Sequence, residues 1–176
     1  MTVTNMNDPR LTAIGLLAEV YAGLTARMQA VFNAAGLSEI DFETLIRLGR
    51  SPRHALRMTD LAAQTGLSTS GVTRVVDRLE RDGLVIREAC ATDRRASYAT
   101  LTPAGLAKLD EVLPQHLADV DELFTGPLPE EELMAFLATL RKIRSVVRPC
   151  ATAGAEDTAG AETGATAAAG EVTARS

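Results

Sequence analysis

The sequence predicts a mainly α fold with a small β wing: a winged helix-turn-helix flanked by N- and C-terminal dimerisation helices. Three observations carry that prediction. Residues 59–83 hold two short helical patterns separated by Gly66, the second opened by Ser68. Two strand-like runs follow, Leu84-Val85-Ile86 and Ser97–Leu101, with Asp93-Arg94-Arg95 at the tip between them. Long apolar stripes lie on both sides of this centre.

Taken in order, residues 1–9 are polar, include Pro9, and read as a loose arm. From Arg10 to Ala35 the residues Leu11, Ile14, Leu17, Val20, Tyr21, Leu24, Met28, Val31 and Phe32 recur at steps of three and four. That spacing predicts one stripe of a long amphipathic helix. Gly36 is a natural stop. Ser38 with Asp41 resembles a capping box for a second helix carrying Phe42, Leu45, Ile46 and Leu48, which Ser51-Pro52 ends.

A third helix is expected from Thr59 as N-cap to Gly66, and a fourth from the Ser68 cap to Gly83. After the strands, Thr102-Pro103 pairs an N-cap with proline at the first helical position. The fifth helix carries Leu106, Leu109, Leu113, Leu117, Val120 and Phe124, with a kink expected at Pro114. Gly126-Pro127 breaks the chain before a sixth helix with Leu133, Phe136, Leu137, Leu140, Ile143 and Val147.

From Pro149 onward Ala, Gly, Thr and Glu dominate. Such a segment cannot bury enough apolar surface to offset its ordering entropy, so a disordered tail is expected over 149–176. The expected organisation is an arm (1–9), one domain (10–148) and that tail. Within the domain, 37–101 form the winged helix-turn-helix, and 10–35 and 102–148 supply the flanking helices. So small a centre cannot cover three apolar stripes, which points to a homodimer.

Composition narrows the function. The net charge of −5 argues at first against a nucleic-acid partner, but its distribution reverses the impression. Residues 47–101 carry ten Arg against six acids, a local +4, while every other stretch is acidic. Aromatic residues make up 3% and Trp is absent, which disfavours stacking on single strands. Cys90 and Cys150 share no metal-type spacing and suggest no disulfide framework. With no signal peptide and no apolar run of membrane length, a cytoplasmic protein is expected. Neither a CxxC nor an HxxxH pattern occurs, and no nucleophile–base pair or phosphate loop stands out, so no metal, cofactor or enzymatic activity is expected.

The fourth helix has two faces at 100° per residue. Val72, Val75, Val76, Leu79 and Gly83 share one, Ser70, Arg74, Asp77 and Arg81 the other, with Thr73 and Arg78 on the flanks. One face anchors, and the other offers hydroxyls to phosphates and guanidiniums to base edges. Ser68, Thr69 and Ser70 form the tip that would first meet a major groove, and Arg74 is the candidate base contact. Thr73 and Arg78 are candidate backbone contacts. The same spacings also suit a solvated salt-bridge face. Adjacent Arg94 and Arg95 suit a minor groove, with Asp93 orienting one of them.

The runs LAAQTGLSTSGVTRVVDRLERDGLV and DRRASYATLTPAG, with flanking helices in the matching order over residues 10–148, resemble the MarR family of transcriptional regulators. The resemblance implies a homodimer on a palindromic double-stranded operator, released by a small phenolic or lipophilic ligand or by an oxidant. It assigns Ser68, Ser70, Thr73, Arg74 and Arg78 to recognition-helix contacts and Asp93, Arg94 and Arg95 to the wing. A ligand cleft is expected between the flanking helices and the centre, with Tyr21, Leu24, Met28, Phe42 and Leu45 as candidate lining residues, although the same spacing suits plain core.

Alternatives are an oxidant switch at Cys90, beside the basic tip, and a winged helix used only to bind protein. In oxidant-sensing members of that family the reactive cysteine usually lies in the N-terminal helix, where this chain has none. Arg47, Arg50, Arg53, Arg57 and His54 make a second basic patch that could hold phosphates or simply face solvent.

Overall fold

The computed structural model describes residues 6–89 and 96–152. Among these, helices α1 (Pro9–Ala34) and α2 (Glu39–Gly49) lead into a 3-10 turn (Pro52–His54) and strand β1 (Ala55–Arg57). Helices α3 (Met58–Thr65) and α4 (Thr69–Arg81) precede strands β2 (Val85–Ala89) and β3 (Ser97–Leu101). Helix α5 (Pro103–Val120), a π-helical turn (Asp121–Thr125) and helix α6 (Glu130–Val147) complete the chain.

Local chemistry fixes the boundaries. Asp8 caps α1 by accepting from the Arg10 amide at 2.9 Å. At α2 the capping box is complete: the Asp41 amide donates to Ser38 Oγ at 3.3 Å, and the Ser38 amide donates to Asp41 Oδ2 at 3.0 Å. Ser68 caps α4 through the Gly71 amide at 3.1 Å. Thr102 caps α5 through the Gly105 amide at 3.0 Å. The turn between α3 and α4 needs a left-handed residue, and Gly66 provides it at φ 73°.

The core is one cluster centred on Leu45, Leu48, Leu61, Val72, Val76, Leu79 and Val85, all of them fully buried. It joins α2, α3, α4 and the base of the sheet. The sheet order is β1-β3-β2, antiparallel throughout, with Leu56 opposite Ala99 and Arg87 opposite Ala99 on the other side. Helix α5 starts against this base. The Thr102 amide donates to Leu84 O at 3.1 Å, and a Cβ on Gly105 would lie 2.2 Å from the same oxygen. Only glycine allows that approach.

Several features differ from expectation. Strand β1 lies between the second and third helices, where the sequence announced no element. Its three residues are too few to show an alternating pattern, and pairing with β3 makes the strand. Helix α3 begins two residues early, with Arg57 rather than Thr59 at the N-cap and no side-chain cap. Helix α5 continues through Pro114, and a π-helical turn follows it, where the Gly126 amide donates to Asp121 O at 2.7 Å. Residues 149–152, expected in the disordered tail, form a turn that buries Ala151, whose amide donates to Arg148 O at 3.1 Å. The rest of that tail, from 153, and arm residues 1–5 lie outside the described residues.

The α1 stripe is left uncovered along much of its length, as expected of a stripe that the small centre cannot cover. Phe32 is buried, and Met28 and Val31 pack against the core, but Leu11, Ile14, Leu17, Val20 and Tyr21 face solvent. Helix α6 buries no residue fully, and Met134, Ile143, Val146 and Val147 are exposed.

Candidate nucleic-acid interface

Helix α4 separates its two faces as its sequence requires. Val72, Val75, Val76 and Leu79 are buried against the core, while Ser68, Thr69, Ser70, Thr73, Arg74, Asp77 and Arg81 are exposed. The first turn projects a row of hydroxyls beside backbone amides that have no intrahelical partner, a ready phosphate seat. Ser68 Oγ and Ser70 Oγ lie 3.1 Å apart, and Thr73 Oγ1 donates to Thr69 O at 2.8 Å. Arg74 makes no hydrogen bond or ion pair with any described residue, so its guanidinium is available to a ligand.

Arg78 is placed differently from its expected backbone-contact role. Its Nε donates to Asp41 Oδ1 and Oδ2 at 3.0 and 3.1 Å, and Nη2 donates to Oδ1 as well. Asp41 is buried and already serves the α2 capping box, so Arg78 pins α4 to the start of α2. The Asp41 carboxylate raises the guanidinium pKa further above its ordinary value. The helical spacing put Arg78 on a flank of α4 but could not show a carboxylate 37 residues away.

Sequence reasoning also missed Arg87. From β2 its guanidinium reaches Asp77 Oδ1 at 2.5 Å and donates to Thr73 O at 3.1 Å, with Glu80 Oε2 at 3.9 Å. The Arg87 amide donates to Glu80 Oε1 at 3.2 Å. The wing is thereby clamped to the recognition helix, and the acids on that helix are neutralised from within. A solitary Arg at an alternating strand position carried the only available signal.

The second basic patch is partly committed. Arg47 pairs with Glu43 at 3.1 Å, and Arg57 Nε donates to Tyr98 Oη at 3.0 Å. His54 Nδ1 donates to Gly49 O at 3.0 Å. The wing-tip residues Asp93, Arg94 and Arg95, and Cys90 before them, lie outside the described residues.

The five candidate ligand-lining residues are not gathered around one cleft. Phe42 and Leu45 are closed in the core, Met28 packs on its edge, and Tyr21 is 63% exposed with its hydroxyl donating to Glu39 Oε1 at 3.3 Å. Leu24 alone lines an open hollow of about 300 Å³, with Glu19, Val20, Gly23, Arg27 and Leu123. Beneath α1, the Phe32 and Phe42 rings stack at 4.7 Å, and His116 of α5 meets Phe42 edge-on at 4.7 Å. His116 Nδ1 is buried without a partner among the described residues, and burial pushes the imidazole pKa down against the opposing pull of Asp119. Among the described residues no group of His, Cys, Asp and Glu could hold a metal ion, and no helix is long and apolar enough to cross a membrane.

A capped helix-turn-helix, a wing clamped to its second helix and a hydroxyl- and arginine-bearing exposed face together define a winged-helix protein of the DNA-reading class. Comparison with known proteins gives the family. The family model described as MarR family matches residues 35–96. AbsC of Streptomyces coelicolor, a MarR family transcriptional regulator, is 33% identical with a TM-score of 0.76, covering 84% of this chain and 99% of that one. Sco3205 of the same organism, solved in complex with DNA, is 26% identical with a TM-score of 0.75, covering 84% and 92%. The transcriptional regulator MhqR of Bacillus subtilis is 29% identical over 141 residues, 78% of this chain and 93% of that protein. The chain belongs to the MarR family of transcriptional regulators.

Proposed function

We propose that this regulator is a sequence-specific repressor that binds a palindromic double-stranded operator in the cytoplasm as a homodimer and has no enzymatic activity. The observation that carries the reading is the division of labour among the arginines of its centre. Arg78 and Arg87 are held by carboxylates, whereas Arg74, on the exposed face beside Thr73 and the Ser68–Ser70 tip, has no partner among the described residues. That offers the Arg74 guanidinium of each subunit to a base edge, with hydroxyls and amides around it for phosphates. Wing residues Asp93, Arg94 and Arg95 would add a minor-groove contact.

The homodimer is supported by the uncovered apolar residues on both α1 and α6. Family membership supports release by a small phenolic or lipophilic effector. The test is selection of bound duplexes from random DNA together with light scattering of the free protein. A two-fold symmetric consensus and a dimer mass are expected. Recovery of no consensus, or a monomer bound to an asymmetric site, overturns the reading.

A further inference from the structure

The end of α6 reaches back to the helix-turn-helix. Arg148 is the residue that closes α6, and its Nη2 donates to the carbonyls of Ala63 at 3.2 Å and Gln64 at 3.1 Å. Both oxygens belong to the last turn of α3, where carbonyls lack intrahelical partners and the helix dipole concentrates negative charge. A guanidinium satisfies both needs at once. The turn between α3 and α4 leaves space for it: a Cβ on Gly66 would lie 2.6 Å from Arg148 Nη2. The backbone beyond Arg148 is seated as well, with Ala151 buried.

Two residues, Gly66 and Leu67, separate α3 from the Ser68 cap of α4. Any displacement of the α3 end is therefore carried to the hydroxyl tip that faces DNA. Arg148 stands more than eighty residues from its partners and lies on the flanking layer rather than on the DNA face.

We propose that Arg148 is a positioning residue that fixes the helix-turn-helix to the end of α6, so that the flanking helical layer sets the separation of the two recognition helices. The spacing consequence rests on the dimeric DNA-binding reading above, and the link itself does not. The full chain and its Arg148→Ala and Arg148→Lys variants test both parts.

Hydrogen exchange at the Gly66 and Leu67 amides, both bonded to Ala62 O, reads the link without DNA. Exchange about 5- to 10-fold faster in Arg148→Ala is expected, with Val72–Leu79 amides unchanged and partial recovery in Arg148→Lys. Unchanged exchange overturns the link. Binding to selected operators whose half-sites are moved apart by one or two base pairs reads the coupling. The wild type is expected to reject altered spacings and Arg148→Ala to accept them, with single half-site affinity within about twofold of wild type. Equal spacing preference in both overturns the coupling. A wild type that binds no DNA overturns the function and, with it, the spacing consequence, while the exchange result still decides the link. Should the Ala variant fail to fold, Arg148→Lys, with one compact ammonium in place of the fork, carries both comparisons.

Discussion

Arg78 on the recognition helix closes a two-pronged pair on Asp41, a carboxylate whose side chain is 6% exposed and which also caps α2. One acid therefore holds the start of α2 and the outer flank of α4 together. Removing the arginine strands a buried charge, which costs more than the pair itself contributes. Because the guanidinium is 39% exposed, Arg78→Ala is expected to cost about 1–3 kcal/mol rather than the full buried-pair penalty. Urea unfolding measures it. A variant of unchanged stability but sharply lower DNA affinity would return Arg78 to a phosphate-contact role.

Arg87 is expected to matter for binding more than for stability. Its partners Asp77 and Glu80 are roughly half exposed, so Arg87→Ala should cost under about 1 kcal/mol of folding free energy. Affinity for a selected operator should fall about tenfold at fixed salt, since two acids on α4 lose their neutralising partner and the wing its anchor. Adding Asp77→Asn should recover part of the loss. Wild-type affinity in the single variant would show that the clamp is idle.

Gly105→Ala tests how closely α5 approaches the wing base. The new methyl would meet Leu84 O and Leu101 Cδ2, the first of them backbone that yields little. A loss of about 1–3 kcal/mol is expected in thermal or urea unfolding. Unchanged stability would mean that α5 stands off from Leu84.

His116 gives the fold a pH dependence of definite sign. Burial lowers its pKa below the ordinary 6.5, so the unfolded chain binds a proton that the folded chain resists. Its stabilising contribution is fully present above 6.5 and is lost as pH falls through that value toward the lowered one. His116→Phe keeps an aromatic ring against Phe32 and Phe42 and removes the titration. Stability curves for the two proteins should diverge as pH falls from about 7 to 5, the wild type losing more. Parallel curves would contradict the assignment.

Much of this architecture was legible because its signals are local. Gly66, Ser68, Gly83 and Thr102-Pro103 punctuate the chain by backbone chemistry, and the valine face of α4 repeats within a single element. What escaped was pairing over distance. Nothing local to Ala55–Arg57 announces a strand, since β3 makes it one. Arg78 reads as a free flank residue until Asp41 is brought beside it, and Arg87 and Arg148 have no motif at all. Phe42 and Leu45 carry the same helical spacing whether they line a cleft or fill a core, and only packing shows that they fill the core. The outward placing of the Ser68–Ser70 tip and Arg74 was legible because the helical period of α4 lies within one element.

The most direct test of the central claim is the ratio of affinities for a selected operator and a scrambled duplex, measured at one salt concentration for wild type and Arg74→Ala. Wild type should prefer the operator by about a thousandfold or more. In Arg74→Ala that preference should shrink by about tenfold or more per half-site, while affinity for the scrambled duplex changes little. An unchanged ratio in Arg74→Ala, or equal affinity of wild type for both duplexes, would contradict the claim that this helix reads sequence through Arg74.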